Sequence, residues 1–319
     1  MSGAGVGAEV SAAFDLLVLG DAKPDLILTK DAEPAFGLGE RLVDGALLTL
    51  GGSGGIAACG AARLGLRVAY VGVVGDDELG AFVSSSLAAH GVDTRGVVVE
   101  PDRPTGISVI LKRDGEEAVL TAPGTVGDLR ADHVDRDLVR DARMVHASSY
   151  FLQVGLRDSL PELFEEAHRH GASTSVDPNR DPAGEWESGF LDLLPATDVL
   201  FANSTEVRAI TGLDDVDVAA AALAERGTVV AVKFLYGGGL AMWGDEVVSS
   251  ETLPTDVVDT TGAGATFAAG FLAARLEGWS IDRCLGLAVA CASLSTRAIG
   301  GTVGQPTMPE AIAALAGPA

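Results

Sequence analysis

Val258-Asp259-Thr260-Thr261-Gly262-Ala263-Gly264-Ala265-Thr266-Phe267 is the stretch on which the reading of this chain turns. Its glycines stand just before an apolar, helix-patterned run over 267–276, so the glycine turn is predicted to open a helix. A helix start leaves backbone N–H groups without partners, and the helix dipole adds partial positive charge, which together favour an anion. Ala265, in the first turn, can neither take nor give a proton. The stretch therefore reads as an anion cradle without an attached base.

Upstream of it the chain alternates strands and helices. An apolar run over 14–20 ends in Gly20 as a buried parallel strand does, and Asp21, Lys23 and Asp25 follow. Ligands in open α/β sheets gather outside the carboxyl ends of strands, so a carboxylate there could accept hydrogen bonds from substrate hydroxyls; solvation of a loop explains these charges as well. Gly51-Gly52-Ser53-Gly54-Gly55 opens a small-residue helix that stops at Gly65, a pattern that serves close ligand approach or simply a tight turn. A strand over 67–74 and a helix over roughly 78–90 complete a βαβ rhythm.

Between 95 and 125 the rhythm breaks. Extended runs at 96–100, 105–112 and 117–121 lack intervening helices, which predicts an antiparallel ribbon or small sheet projecting from the body, either as a lid or as a surface for another subunit. Alternation resumes with strands over 143–147, 173–176, 198–202 and 228–233. Asp177-Pro178-Asn179-Arg180 follows one of them, and Asn203-Ser204-Thr205-Glu206 follows another. Asn203 and Glu206 either face a cleft, holding a hydrated metal or phosphate, or form a helix-start box. After Lys233 come Phe234-Leu235-Tyr236-Gly237-Gly238-Gly239, a hairpin over 240–249, and helices over 263–277, 281–297 and from Pro309.

Composition bounds the function. With 319 residues, 47% hydrophobic and 41 glycines, the chain can bury a substantial core. A formal charge of −23 argues against nucleic acid as a partner, because duplex binding uses Lys and Arg to neutralise phosphates. No run reaches the ~18 apolar residues of a membrane helix. Residues 1–13 read as a loose tail, and Cys59, Cys284 and Cys291 show no CxxC spacing, so a reduced, cytoplasmic setting is expected.

Taken in order, seven features resemble the ribokinase-like, or PfkB, family of carbohydrate and nucleoside kinases from about residue 14 to 310. They are 20–25, the Gly51-Gly52 helix ending at Gly65, 71–76, Pro104-Thr105-Gly106, Asp177-Pro178-Asn179, 203–206 and 259–264. The resemblance implies one α/β domain over 14–319, a three-layer α/β/α body with a mostly parallel sheet and a small β-sheet lid from strands mainly within 20–50 and 95–125. It implies ATP and Mg²⁺ and a sugar-like or nucleoside-like substrate; a homodimer through the lid strands is a further expectation, from the exposed edge of the 95–125 ribbon. Asp25, Gly51, Gly52, Ile56, Thr105, Gly106 and Asn179 fall at the family's substrate positions. Asn203, Glu206, Lys233, Gly238, Thr260, Ala290 and Cys291 fall on the nucleotide side, with Glu206 meeting the metal through water. Gly262, Ala263 and Gly264 match its anion hole.

Three positions depart from the family pattern. Ala265 stands where the resemblance implies the aspartate that serves as general base, Ile56 stands where an asparagine is usual, and Phe234-Leu235-Tyr236 replaces a small glycine-bearing turn. Loss of a positioned base costs a factor of about 10²–10⁴ in rate. Asp259, six residues before Ala265, is expected to brace the turn rather than substitute for the base. Either Ala265 was introduced to trap a ligand in an ordinary kinase, or the chain has diverged from phosphoryl transfer.

Overall fold

The computed structural model describes residues 12–29, 32–34, 36–37, 39–113, 116–234 and 238–316. Most of the tail expected over 1–13, and Leu235, Tyr236 and Gly237 of the 234–239 turn, lie outside the described residues. In chain order the strands are β1 (Leu16–Leu19), β2 (Lys23–Thr29), β3 (Gly45–Gly51), β4 (Val68–Gly75), β5 (Asp93–Glu100), β6 (Ile107–Arg113), β7 (Glu116–Ala122), β8 (Met144–Ser148), β9 (Ser173–Asp177), β10 (Val199–Asn203), β11 (Val229–Phe234), β12 (Gly238–Trp243) and β13 (Glu246–Ser250). The helices are α1 (Ser53–Arg63), α2 (Glu78–Ala89), α3 (Arg136–Arg140), α4 (Leu160–Arg169), α5 (Phe190–Leu193), α6 (Ser204–Thr211), α7 (Val216–Ala224), α8 (Ala263–Leu276), α9 (Ile281–Ser295) and α10 (Met308–Leu315).

Strand alternation explains the three layers. In β1, Leu17 and Leu19 enter one core while Leu16 and Val18 enter another, because successive side chains leave a strand on opposite faces. β10 and β11 divide in the same way: Leu200, Val230 and Val232 join the first core, Val199, Phe201 and Ala231 the second. The first core is closed by α3 to α7 and the second by α1, α2, α8, α9 and α10. A sheet buried on both faces needs apolar residues at nearly every position, as these strands have until Asn203 and Lys233 at the carboxyl ends of β10 and β11. The nine-stranded sheet runs β13-β12-β11-β10-β9-β8-β1-β4-β5, parallel except for the β11-β12-β13 edge.

A second, four-stranded sheet, β3-β2-β6-β7, stands apart. Its strands leave the main chain path in two excursions, between β1 and α1 and between β5 and α3. β2 pairs antiparallel with β3 and parallel with β6, and β6 pairs antiparallel with β7. This is the α/β body with a mostly parallel sheet and a small separate sheet that the sequence implied. One run is reassigned: residues 96–100 were expected in the projecting sheet, but β5 pairs parallel with β4 at the edge of the large one. Short extended runs carry no label of their partner, so the break in rhythm fell one strand later than the pattern suggested. Among the described residues, no helix is long and apolar enough to cross a membrane.

Candidate active site

A cavity of about 1060 Å³ opens between the small sheet, the carboxyl ends of β9 to β11 and the starts of α1 and α8. The α8 start is the glycine turn. Gly262 takes φ 77, a left-handed conformation that costs glycine nothing, and no side chain caps the helix. The N–H of Ala263 donates to the Thr260 carbonyl at 3.2 Å, whereas those of Gly264 and Ala265 have no hydrogen-bond partner among the described residues. Donors aimed into a cavity in this way suit an anion.

Asp259 braces the turn, as expected. Its Oδ1 accepts from the Thr261 N–H at 2.9 Å and hydroxyl at 2.7 Å, its Oδ2 from the Gly300 N–H at 2.8 Å, and the Lys112 ammonium donates to Oδ1 at 2.6 Å. Burial works against its charge, yet these bonds hold its pKa below the ordinary value. Because Lys112 comes from β6, the small sheet is tied directly to the turn. Lys112→Met is predicted to cost about 1.5–3 kcal/mol of stability, the worth of a hydrogen bond to a charged group, in denaturant unfolding, and Lys112→Arg less.

Beside the turn lies a second charged group. Lys233, at the end of β11, donates to Asp177 Oδ2 at 2.6 Å, and a Cβ added at Gly264 would sit 3.5 Å from its ammonium. Burial opposes its charge, but Asp177 and Glu206 hold its pKa above the ordinary value. Asn203 and Glu206 form a reciprocal capping box at the start of α6, so the helix-start reading of this pair is realised; both also line the cavity. Burial pushes the Glu206 carboxyl up to about 7, with Lys233 pulling the other way.

Across the cavity the small sheet presents Asp25, Ser108 and Thr121, paired in register Asp25–Ser108 and Ser108–Thr121. Asp25 is 5% exposed, and burial pushes its pKa up to about 6. Gly51 stands so close to this carboxylate that a Cβ there would overlap it, which explains the glycine. Asn179 takes φ 54, a conformation asparagine tolerates, and its amide donates to Ser53 and Ser149 at 3.1 Å each. Asp21 is structural: its carboxylate accepts from Ser149 at 2.7 Å and Gly54 N–H at 3.4 Å, while its carbonyl accepts from Gly55 N–H.

Raised carboxyl groups fix a pH dependence. Glu206 moves from 4.5 to about 7 and Asp25 from 3.8 to about 6, so the folded chain holds protons that the unfolded chain releases. Their contribution is full below the unfolded values and is lost as pH rises through the folded ones. Burial of His146, which lowers its pKa to about 4, offsets part of this loss below about pH 6.5; melting temperature is predicted to fall between pH 5 and 7.5, and Glu206→Gln to flatten that slope.

Of the remaining candidates, Gly52, Ile56, Gly238, Thr260, Gly262, Ala263, Gly264 and Ala265 line the cavity, while Gly51, Thr105 and Gly106 do not. Thr105 instead anchors the base of β6. Its hydroxyl donates to Asp77 Oδ1 at 2.6 Å and accepts from Gly75 N–H at 2.8 Å. Ala290 and Cys291, expected in a pocket wall, are fully buried, Cys291 in the second core against Gly270; Val289, Ala292, Ser293 and Thr296 of the same segment face the cavity. An apolar helix buried all round gives no sequence signal of which face meets a ligand. Sequence reading also passed over Ser108, Thr121 and the Lys112–Asp259 tie. Period-two alternation along β6 and β7 could have found the two hydroxyls.

Comparison with known proteins gives the family and the fold. Residues 13–308 match the pfkB family of carbohydrate kinases. An uncharacterized sugar kinase of Archaeoglobus fulgidus is 33% identical over 229 residues, 70% of this chain and 89% of that protein. The ATP-dependent ribose-1-phosphate kinase of Halopiger xanaduensis is 32% identical over 268 residues, 83% and 86% of the two chains. Among solved structures, adenosine kinase from Sinorhizobium meliloti superposes with a TM-score of 0.81 at 28% identity, covering 94% of this chain and 98% of that one. A putative ribokinase II from E. coli in complex with ATP and Mg²⁺ gives 0.85 at 25%, covering 95% and 99%. The chain belongs to the pfkB family of carbohydrate kinases.

Proposed function

We propose that this chain binds ATP with Mg²⁺ and a sugar-like or nucleoside-like molecule in the cavity, and transfers phosphate slowly because position 265 accepts no proton. The observation that carries the proposal is the placement of the unpaired Gly264 and Ala265 N–H groups and the Lys233 ammonium in one cavity with Asp25. Their chemistry fits the cofactor: two donors and a cation suit phosphate oxygens, and Mg²⁺ is commonly held by one or two carboxylates plus substrate phosphates. Glu206 would meet the metal through water. When bound, the nucleotide supplies the phosphoryl group, and phosphoryl transfer depends mainly on positioning and electrostatics.

The protein's own groups then divide the work. Gly264 and Ala265 donate to developing negative charge, and Lys233 neutralises it. Asp25, ionised at neutral pH, accepts hydrogen bonds from ligand hydroxyls, and Asn179 shapes the same wall. The small sheet supplies one wall of the site. What is missing is a group to take the acceptor's proton, which Ala265 cannot do.

ADP release from ATP–Mg²⁺ with ribose, fructose, adenosine and ribose 1-phosphate tests this reading. Slow, metal-dependent turnover with one acceptor is expected; absence of both turnover and nucleotide binding would contradict it. A second reading, retention of a polar small molecule without transfer, is favoured by the apolar cluster of Ile56, Ala57 and Ala265 in the cavity floor.

The same proposal includes a homodimer through the small sheet and a cytoplasmic setting. In register, Leu48, Leu26, Val109 and Leu120 form a cross-strand row on the face opposite Asp25 and Ser108, with Leu48 43% and Leu120 63% exposed. Apolar rows of this kind mark contact surfaces. Light scattering is expected to give a dimer mass, and Leu120→Glu to give a monomer. The three cysteines are free and buried, which suits a reducing compartment.

A further inference from the structure

The cavity floor differs in polarity from its walls. Lid side chains Asp25, Ser108 and Thr121 can exchange hydrogen bonds with a ligand, whereas Ile56, Ala57 and Ala265 form an apolar cluster separate from both main cores. Ile56 and Ala265 line the cavity, and Ala57 backs them. The arrangement is held in place. Gln305 donates to the Ile56 carbonyl at 2.8 Å and to the Thr266 hydroxyl at 3.1 Å, tying the start of α1 to that of α8. The end of the Ile56 side chain lies against bare backbone at Gly262 and Gly301, where added Cβ atoms would crowd it. The isoleucine therefore fills a fitted space beside Ala265.

Polar groups near this floor in the chain are the free N–H groups of Gly264 and Ala265, both donors, and the Ser53 and Thr266 hydroxyls, which already accept from Asn179 and Gln305. A ligand hydroxyl placed on the floor could accept from them, but its own proton would meet only carbon from the three cluster side chains. A hydrogen-bond donor that leaves water without finding an acceptor is penalised, whereas a methyl group in the same place gains by leaving water.

We infer that the molecule selected by this cavity is a sugar or nucleoside whose end at Ala265 is a methyl-type carbon, that is, a terminally deoxygenated sugar rather than one ending in hydroxymethyl. The inference rests on the proposal that the cavity takes a polyhydroxylated molecule, and it deepens the second reading, in which the ligand is retained without transfer, in place of slow transfer at that end. Asp25, Ser108 and Asn179 hold the ring hydroxyls, and the Ile56–Ala57–Ala265 floor receives the methyl end.

Calorimetry with matched pairs tests it: ribose against 5-deoxyribose, L-galactose against L-fucose, and adenosine against 5′-deoxyadenosine. In at least one pair the deoxy member is expected to bind about tenfold tighter or more, the scale of one apolar group in a fitted pocket. Ile56→Asn should abolish or invert that preference and Ile56→Val should keep it; circular dichroism checks that both variants fold, and the unsubstituted chain decides the matter if they do not. Hydroxymethyl members that bind as tightly as, or tighter than, their deoxy partners would overturn the inference while leaving the polyhydroxylated ligand in place. Failure of every sugar and nucleoside to bind would overturn that reading, and the inference with it.

Discussion

Ala265→Asp is expected to raise ADP formation from ATP–Mg²⁺ and a suitable acceptor by about 10²–10⁴-fold, the usual worth of a positioned general base. The site receives such a carboxylate well in one respect and poorly in another. Position 265 lies in the first turn of α8, where a negative charge is favoured by the helix dipole, and it faces the cavity that Lys233 also lines. Its neighbours in the floor, however, are Ile56 and Ala57, which offer the new carboxylate no hydrogen bond. Burial against them would raise its pKa and trim the gain at neutral pH. The double variant Ile56→Asn, Ala265→Asp is therefore expected to exceed the single one, with the difference largest below pH 7. An unchanged rate in both variants, with the nucleotide still bound, would show that the missing base is not what limits the chain.

Lys233→Met is the second large effect. Its ammonium is paired with Asp177 at 2.6 Å and sits in a wall shared with the Glu206 carboxyl. Removal leaves buried carboxyl groups without their cation, a change that costs about 3–5 kcal/mol when one partner of a buried pair is lost. For a chain of this size that corresponds to roughly 5–15 °C in melting temperature. Part of the loss returns in the double variant Asp177→Asn, Lys233→Met, because the uncompensated charge goes with its partner. Nucleotide affinity should not return, since the cation that faces the glycine turn stays absent. A Lys233→Met protein that melts and binds ATP–Mg²⁺ like its parent would remove this lysine from the phosphate side.

How much of this was legible beforehand varied with the kind of physics involved. The layered body was readable because strands such as Leu16–Leu19 and Val229–Phe234 are apolar at nearly every position, which only burial on both faces explains. The glycine turn was readable because left-handed backbone and a helix start leave marks in one short stretch. Asp259 was rightly given to bracing the turn, since its carboxylate is taken up by Thr261, Gly300 and Lys112. What stayed hidden is set by contacts between distant segments. Lys112 meets Asp259 across 147 residues, and Gln305 joins Ile56 across 249. The partner of β5 and the cavity-facing side of α9 were misread for a related reason: a short extended run does not name its neighbour, and a helix buried all round has no polar face to mark its orientation. The contact between Ile56 and Ala265, two departures noted separately along the chain, becomes a single feature only once α1 and α8 are packed together.

Titration calorimetry of the unaltered chain with ATP–Mg²⁺ tests the central claim most directly. A cavity that keeps two free N–H donors and Lys233 beside the glycine turn is predicted to bind the nucleotide saturably in the micromolar range, with binding lost in Lys233→Met. No heat of binding from a folded, monodisperse chain at millimolar nucleotide would contradict it.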